Sequence, residues 1–191
     1  ALARDFFHAC LLKSALGVYA LSYLKDRGVS VDTAQELKLG FAPDDWSKLA
    51  TALQKRGIRP EILVKAGLAL PRPRDGVYDR FRNRIMFPIE DVRERIIGFG
   101  GRVMDDAQPK YLNSPESPVF SKKHVLFNIS RAYRAIKDAG RAIVVEGYMD
   151  AIALSSQGIR NVVASLGTSF TAEQARLIRH YASEIVFAYD G

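Results

Sequence analysis

A chain of 191 residues with 48% apolar side chains has room for one good-sized domain or two small ones and can build a real core. No apolar run is long enough to span a bilayer and the opening Ala1-Leu2-Ala3-Arg4-Asp5 lacks the layout of a secretory signal, so a soluble protein is expected, and the missing initiator Met points to an excised fragment. A net charge of +7 favours a polyanionic partner, although a solvated basic face would carry the same surplus.

Leu11, Leu12, Ala15, Val18, Tyr19 and Ser22 fall near helical spacing and Gly28 is a stop, which predicts a helix here. Cys10, the only cysteine, excludes an internal disulfide or a cysteine-rich zinc site within these residues. Beside Phe6, Phe7, Leu11 and Leu12 it reads as a buried apolar thiol, a usage that suits the reducing cytoplasm. Ser30 can cap a short helix running to about Leu37. Asp44 or Asp45 can cap the next, which carries Leu49 and Leu53, and Pro60 can open another that ends near Gly67.

After the connector Pro71-Arg72-Pro73 the pattern changes to strands. Residues 84–89 and 96–99, separated by a polar turn, predict a hairpin with Pro88 near an edge or bulge. The two prolines and polar residues of 110–118 predict a loop, and a helix is expected over Ile129–Ala139. From Arg141 strands and helices alternate. Residues 142–145, 161–165 and 184–189 read as strands. Asp150 can cap the first intervening helix, and Thr171 to Gln174 has the form of a capping box for the second. This βαβαβ order predicts a parallel sheet.

Parallel sheets place functional residues at the carboxyl ends of their strands. Glu146 follows the first strand and Asp190 the third. If those strands are neighbours, two carboxylates share a crevice and suit a hard divalent ion with substrate phosphates. Each acid alone could equally cap a helix or face water. Upstream, Arg72, Arg74, Arg80, Arg82 and Arg84 crowd one stretch. In a strand the last three would share a face that tracks phosphates, or one that pairs with Asp75 and Asp79. Gly98-Phe99-Gly100-Gly101 is not a dinucleotide fingerprint, since Val103 stands where its third glycine belongs. His8, His124 and His180 lack ligand spacing and read as structural or surface residues.

Val144-Val145-Glu146-Gly147-Tyr148-Met149-Asp150 resembles the first signature of the Toprim fold, which is shared by DnaG-type primases, type IA and type II topoisomerases and some nucleases. The second signature of that fold is Asp-x-Asp. Tyr189-Asp190-Gly191 supplies its first Asp, so the metal site is expected to be incomplete within these residues. Ala164-Ser165-Leu166-Gly167-Thr168 is similar to the primase version of the linking stretch. Residues 80–89, 98–102 and 109–116 also resemble blocks of the primase core, as more weakly does 23–28. In family order and over nearly the whole chain, these blocks resemble the RNA-polymerase catalytic core of bacterial DnaG-type primases. Arg93 and Glu94 stand in the hairpin turn where that family commonly has glycine, and Lys123 replaces a glycine after Lys122.

The resemblance implies an α/β fold with an α+β subdomain over 1–125, then a partial Toprim-like parallel sheet over 126–191, and a groove between them for template and nucleotide. It implies template-directed synthesis of RNA primers on single-stranded DNA from ribonucleoside triphosphates, for DNA replication. Glu146 and Asp190 would be catalytic and bind Mg²⁺ or Mn²⁺. Arg27, Arg82, Arg102, Lys110, Tyr111, Asn113 and Lys122 would meet nucleotide or template. The family's zinc module and its helicase-binding module would lie outside these residues. Two other readings stay open at this point: a non-catalytic single-stranded nucleic-acid-binding fragment, and another Toprim enzyme such as a topoisomerase or nuclease.

Overall fold

The computed structural model describes residues 1–167 and 169–189. The chain divides into two compact units, Ala1–Pro88 with Gly98–Ser117, and Ile89–Ile97 with the residues from Pro118 onward.

In the first unit, α1 (Leu2–Lys13) and α2 (Gly17–Lys25) replace the single helix expected from spacing. They meet at 84°. The reason is steric and local. A Cβ on Gly17 would stand 2.0 Å from the Leu11 carbonyl oxygen, so only glycine lets α2 start this close to the end of α1. Leu11 is thereby buried while Val18 and Tyr19 face solvent. Then follow α3 (Val31–Glu36), which Ser30 caps, β1 (Gly40–Ala42), α4 (Lys48–Gln54) and α5 (Pro60–Lys65), with Pro60 in its first turn. The cap of α4 differs from expectation. Neither Asp44 nor Asp45 caps it. Buried Asp79 accepts the Leu49 and Ala50 N–H groups at 2.7 and 2.9 Å, while Asp45 accepts the Ser47 N–H at 2.8 Å.

β2 (Ala69–Pro71) and β3 (Val77–Asp79) form a small antiparallel pair, so the expected connector is partly sheet. β4 (Arg84–Glu90), β5 (Ile96–Val103) and β6 (Tyr111–Asn113) complete a sheet of order β1-β4-β5-β6. The hairpin forms as expected. β1 pairs only with Arg84 to Met86, so Pro88 lies beyond that pairing, where a missing N–H costs little. Residues 111–113, expected in a loop, pair with Gly100, Gly101 and Arg102 instead. Sheet pairing overrides the loop-like composition there. Gly101 serves close packing: a Cβ would meet Arg84 Cδ at 3.0 Å and Phe81 at 3.1 Å. In the hairpin turn Glu94 takes φ +60, the left-handed conformation that glycine adopts freely.

In the second unit α6 (Ile129–Ala139) packs with β7 (Arg141–Val145), α7 (Tyr148–Ser156), β8 (Val162–Ala164), α8 (Ala172–Arg179) and β9 (Glu184–Phe187). The three strands are parallel in the order β8-β7-β9, as the βαβαβ rhythm predicts. Leu126, Ile129, Ala132, Ile136, Val144, Val163 and Ile178 form the core, with Val92 against it. Buried Glu90 accepts hydrogen bonds from the Ser130 hydroxyl at 2.8 Å and Arg131 at 3.1 Å, which neutralises a carboxylate removed from water. Among the described residues no single helix is long and apolar enough to cross a membrane.

Candidate functional site

In the first unit, α2 and the β5–β6 connection bring Tyr23, Arg27, Arg102, Asp105, Asp106 and Lys110 around a pocket of about 290 Å³. Arg27 lies just past the end of α2, exposed, its guanidinium carbon 3.7 Å from the Tyr23 ring centre. Arg102 projects from β5, half-buried. Its Nε donates to Tyr23 Oη at 2.8 Å and its Nη1 to Tyr111 Oη at 2.7 Å. Burial works against the Arg102 charge, but the Tyr111 and Tyr23 oxygens outweigh it and hold the guanidinium above its ordinary pKa. Lys110 is exposed at the pocket, with its backbone carbonyl tied to Val103 N–H at 3.1 Å. Asn113, two residues past Tyr111 on β6, accepts Arg80 Nη2 through its carbonyl at 3.3 Å.

The arginines at 80, 82 and 84 do not share a strand face. Arg80 and Arg82 fall between β3 and β4, and Arg84 opens β4. Arg84 is 7% exposed and donates to the carbonyls of Gly101, Pro109 and Lys110 at 3.4, 2.9 and 3.4 Å. It is an internal brace, and burial, with Arg82 nearby, lowers its pKa. Burial lowers that of Arg80 too. Arg82 alone of the three reaches an exposed platform. Its guanidinium carbon lies 4.0 Å from the Trp46 ring centre and 5.6 Å from that of Tyr78, and it donates to the Asp79 carbonyl. Trp46 is 59% exposed. Arg72 and Arg74 lie exposed in the turn between β2 and β3.

In the second unit β7 and β9 are neighbours and β8 lies on the other side of β7, so the chain switches direction across the sheet at β7. Crevices at such switch points, outside the carboxyl strand ends, are where open parallel sheets bind ligands. Glu146 stands there, directly after β7, exposed and with no hydrogen-bond partner among the described residues. A bare carboxylate at a strand end fits a hard oxygen-seeking cation, and Mg²⁺-like ions need few protein carboxylates when phosphates supply the rest. Asp150 is engaged differently, accepting the Gly147 N–H at 3.0 Å to cap α7. No cluster of three metal-ligating side chains occurs among the described residues. Asp190, the other expected ligand, lies outside them. Lys122 is half-buried, and its carbonyl accepts from Gln174 Nε2 at 3.0 Å. Gln174 is fully buried. It also donates to the Val125 carbonyl at 2.9 Å and accepts the Thr171 N–H at 3.1 Å.

Residues 7–133 match the family model for the N-terminal domain of the DNA primase catalytic core, and residues 140–191 match a Toprim domain. The chain belongs to the DNA primase catalytic-core family. The DNA primase of Clostridium acetobutylicum is 47% identical over 172 residues, covering 90% of this chain and 28% of the relative. That of Deinococcus radiodurans is 44% identical over 192 residues, covering 100% and 33%. The chain thus spans about a third of the curated relatives' length. Among solved structures, the RNA polymerase domain of Mycobacterium tuberculosis primase DnaG superposes with a TM-score of 0.93 at 34% identity, covering 99% of this chain and 64% of that one. A DnaG primase catalytic domain bound to single-stranded DNA superposes with 0.87 at 40%, covering 100% and 62%.

Within this primase core, reading the sequence alone missed Tyr23, Trp46, Tyr78 and Gln174 as supports of the site. Tyr23 carries a signal after the fact, four residues before Arg27 across the end of α2. Trp46 and Tyr78 meet at 5.5 Å from distant segments, a pairing that no local pattern announces. Gln174 was legible only as half of a capping box.

Proposed function

We propose that this chain performs the nucleotidyl-transfer chemistry of a DNA primase: synthesis of short RNA primers on a single-stranded DNA template from ribonucleoside triphosphates, for replication in the cytoplasm. The observation that carries the reading is the succession, in one chain, of a primase-core match over 7–133 and a Toprim match over 140–191. Solved relatives described as bound to single-stranded DNA, or to duplex DNA with an overhang, support a DNA template as partner.

In this proposal Arg27, Arg102, Lys110 and Tyr111 receive the triphosphate. Guanidinium forks match phosphate oxygens with parallel N–H donors, and the pocket supplies them already ordered. Arg82, stacked on Trp46, meets the template, where the exposed indole offers a face to a base and the guanidinium neutralises phosphate. Asn113 and Lys122 also contact nucleotide or template. Glu146, with Asp190, holds Mg²⁺ or Mn²⁺. That ion, when bound, lowers the pKa of the primer hydroxyl and offsets charge on the transferring phosphate. Residues 1–125 and 126–191 form the two functional divisions, with a replicative helicase engaged by parts of the primase beyond this segment.

The test is ribonucleotide incorporation on single-stranded DNA by this chain alone and by a chimaera. In the chimaera the chain replaces the matching segment of the Pseudomonas aeruginosa primase, to which it is 44% identical over 190 residues. Primer synthesis by the chimaera is the expected result. A folded, DNA-binding chimaera that incorporates nothing would leave a non-catalytic binding module.

A further inference from the structure

Arg27 and Arg102 reach the pocket from different elements, and one buried side chain serves both. We propose that Tyr23 is a positioning residue for triphosphate binding, holding the two guanidinium groups in the geometry that receives phosphate. This rests on reading the pocket as a triphosphate site.

Tyr23 sits on α2 with 9% exposure. Its ring and its hydroxyl do different work. Arg27 follows by four residues in the turn that ends α2, and its guanidinium lies over the ring face, 3.7 Å from the centre, where the aromatic quadrupole attracts a cation. The hydroxyl donates to the Val103 carbonyl at 3.2 Å. With its proton committed there, its lone pairs accept from Arg102 Nε at 2.8 Å. Arg102 makes its second bond through Nη1 to Tyr111 at 2.7 Å. Two anchors, one from α2 and one from β6, fix the plane of the guanidinium, and its remaining donors stay available to the pocket that Arg102 lines. An unheld arginine samples many rotamers, and a ligand must arrest them when it binds. Here that ordering happens when the protein folds. Charge-assisted hydrogen bonds of this length are strong enough to hold it.

The probe is inorganic tripolyphosphate, titrated calorimetrically into this chain and its variants, with melting temperature recorded for each. Wild type binds, and Arg102→Gln weakens binding about tenfold. Tyr23→Phe keeps the ring under Arg27 and removes only the anchor of Arg102, weakening binding about fivefold. Tyr23→Leu removes both supports and weakens it further. The decisive comparison is Tyr23→Phe in the Arg102→Gln background, where no additional loss is expected. A hydroxyl that mattered only for folding would reduce affinity by the same factor in both backgrounds. Equal factors, or a Tyr23→Phe variant that binds like wild type while Arg102→Gln does not, overturn the positioning role and leave the pocket standing. A wild-type chain that does not bind, or binding indifferent to Arg102→Gln, overturns the pocket and the positioning role together.

Discussion

In the first unit three cations, two at the pocket and one outside it, are held from behind. Arg102 is gripped by two tyrosine hydroxyls, Arg27 lies on a tyrosine ring, and Arg82 on an indole. In the second unit the carboxylate at the switch point of the sheet is held by nothing: Glu146 is exposed and has no partner among the described residues. Long cationic side chains lose much rotamer freedom when they bind, so bracing them before the ligand arrives strengthens binding. A short carboxylate meant for a metal ion gains from having no competing donor, because every hydrogen bond it made would have to break first. On the proposed reading one unit grips phosphate by itself, and the other acts only when an ion arrives.

The widest separation is expected from Glu146→Gln. In the chimaera it lowers ribonucleotide incorporation by on the order of 10³-fold, with melting temperature and single-stranded DNA affinity close to wild type, since an exposed, unpartnered side chain is replaced by one of the same size. Equal loss of binding and incorporation would remove the distinction between the units. Arg84→Met sharpens it from the other side. Arg84 braces rather than binds, so cutting its bonds to Gly101, Pro109 and Lys110 destabilises the chain by about 2–3 kcal/mol in urea unfolding. Arg82→Met, at a half-buried surface platform, changes stability by less than about 1 kcal/mol.

Arg82 and Arg84 also show what the sequence makes legible. Two residues apart in one basic run, they look equivalent; their partners decide their roles, and those of Arg84 lie 17 to 26 residues downstream. The same distance problem hid the cap of α4, which Asp79 supplies from 30 residues beyond Leu49. It hid β6 as well, because pairing with β5 outweighs a proline-rich local composition. The helix expected across Leu11 to Ser22 broke at Gly17 for a packing reason that helical periodicity does not carry. In contrast, the βαβαβ order of the second unit was readable. Its strands are short apolar runs, and Asp150 from inside the first turn of α7 and Thr171 from just before α8 cap those helices. The position of Glu146 follows from that order alone. That Arg27, Arg102, Lys110 and Tyr111 belong near one another rested on the family resemblance, and the braces of the two arginines were found only in three dimensions.

Smaller effects refine the contrast. Trp46→Ala removes the platform under Arg82 and weakens single-stranded DNA binding about fivefold. Arg82 keeps its charge, so the slope of log affinity against log salt stays the same; a shallower slope would mean that the indole orders more than one cation. Glu94→Gly in the hairpin turn relieves a φ of +60 and raises stability by up to about 1 kcal/mol, measured by urea unfolding. The smallest effect is acid sensitivity in the same turn. Burial alone would raise the Asp91 carboxyl, but the bond from Arg95 and the backbone N–H groups of Arg95 and Arg93 outweigh it and hold its pKa below the ordinary value. Its contribution is therefore present above the ordinary carboxylate pKa and fades as pH falls through the depressed one. Asp91→Asn loses a few tenths of a kcal/mol at neutral pH and correspondingly less in acid.

The division of labour between braced cations and bare carboxylate is tested most directly by removing the divalent ion. In the chimaera, single-stranded DNA binding and ribonucleotide incorporation are measured side by side as a chelator is titrated against Mg²⁺ or Mn²⁺. The account predicts that incorporation disappears with the ion while DNA affinity stays within about twofold. DNA affinity that falls in step with incorporation would contradict it, because the cations of the first unit would then depend on the ion as much as Glu146 does.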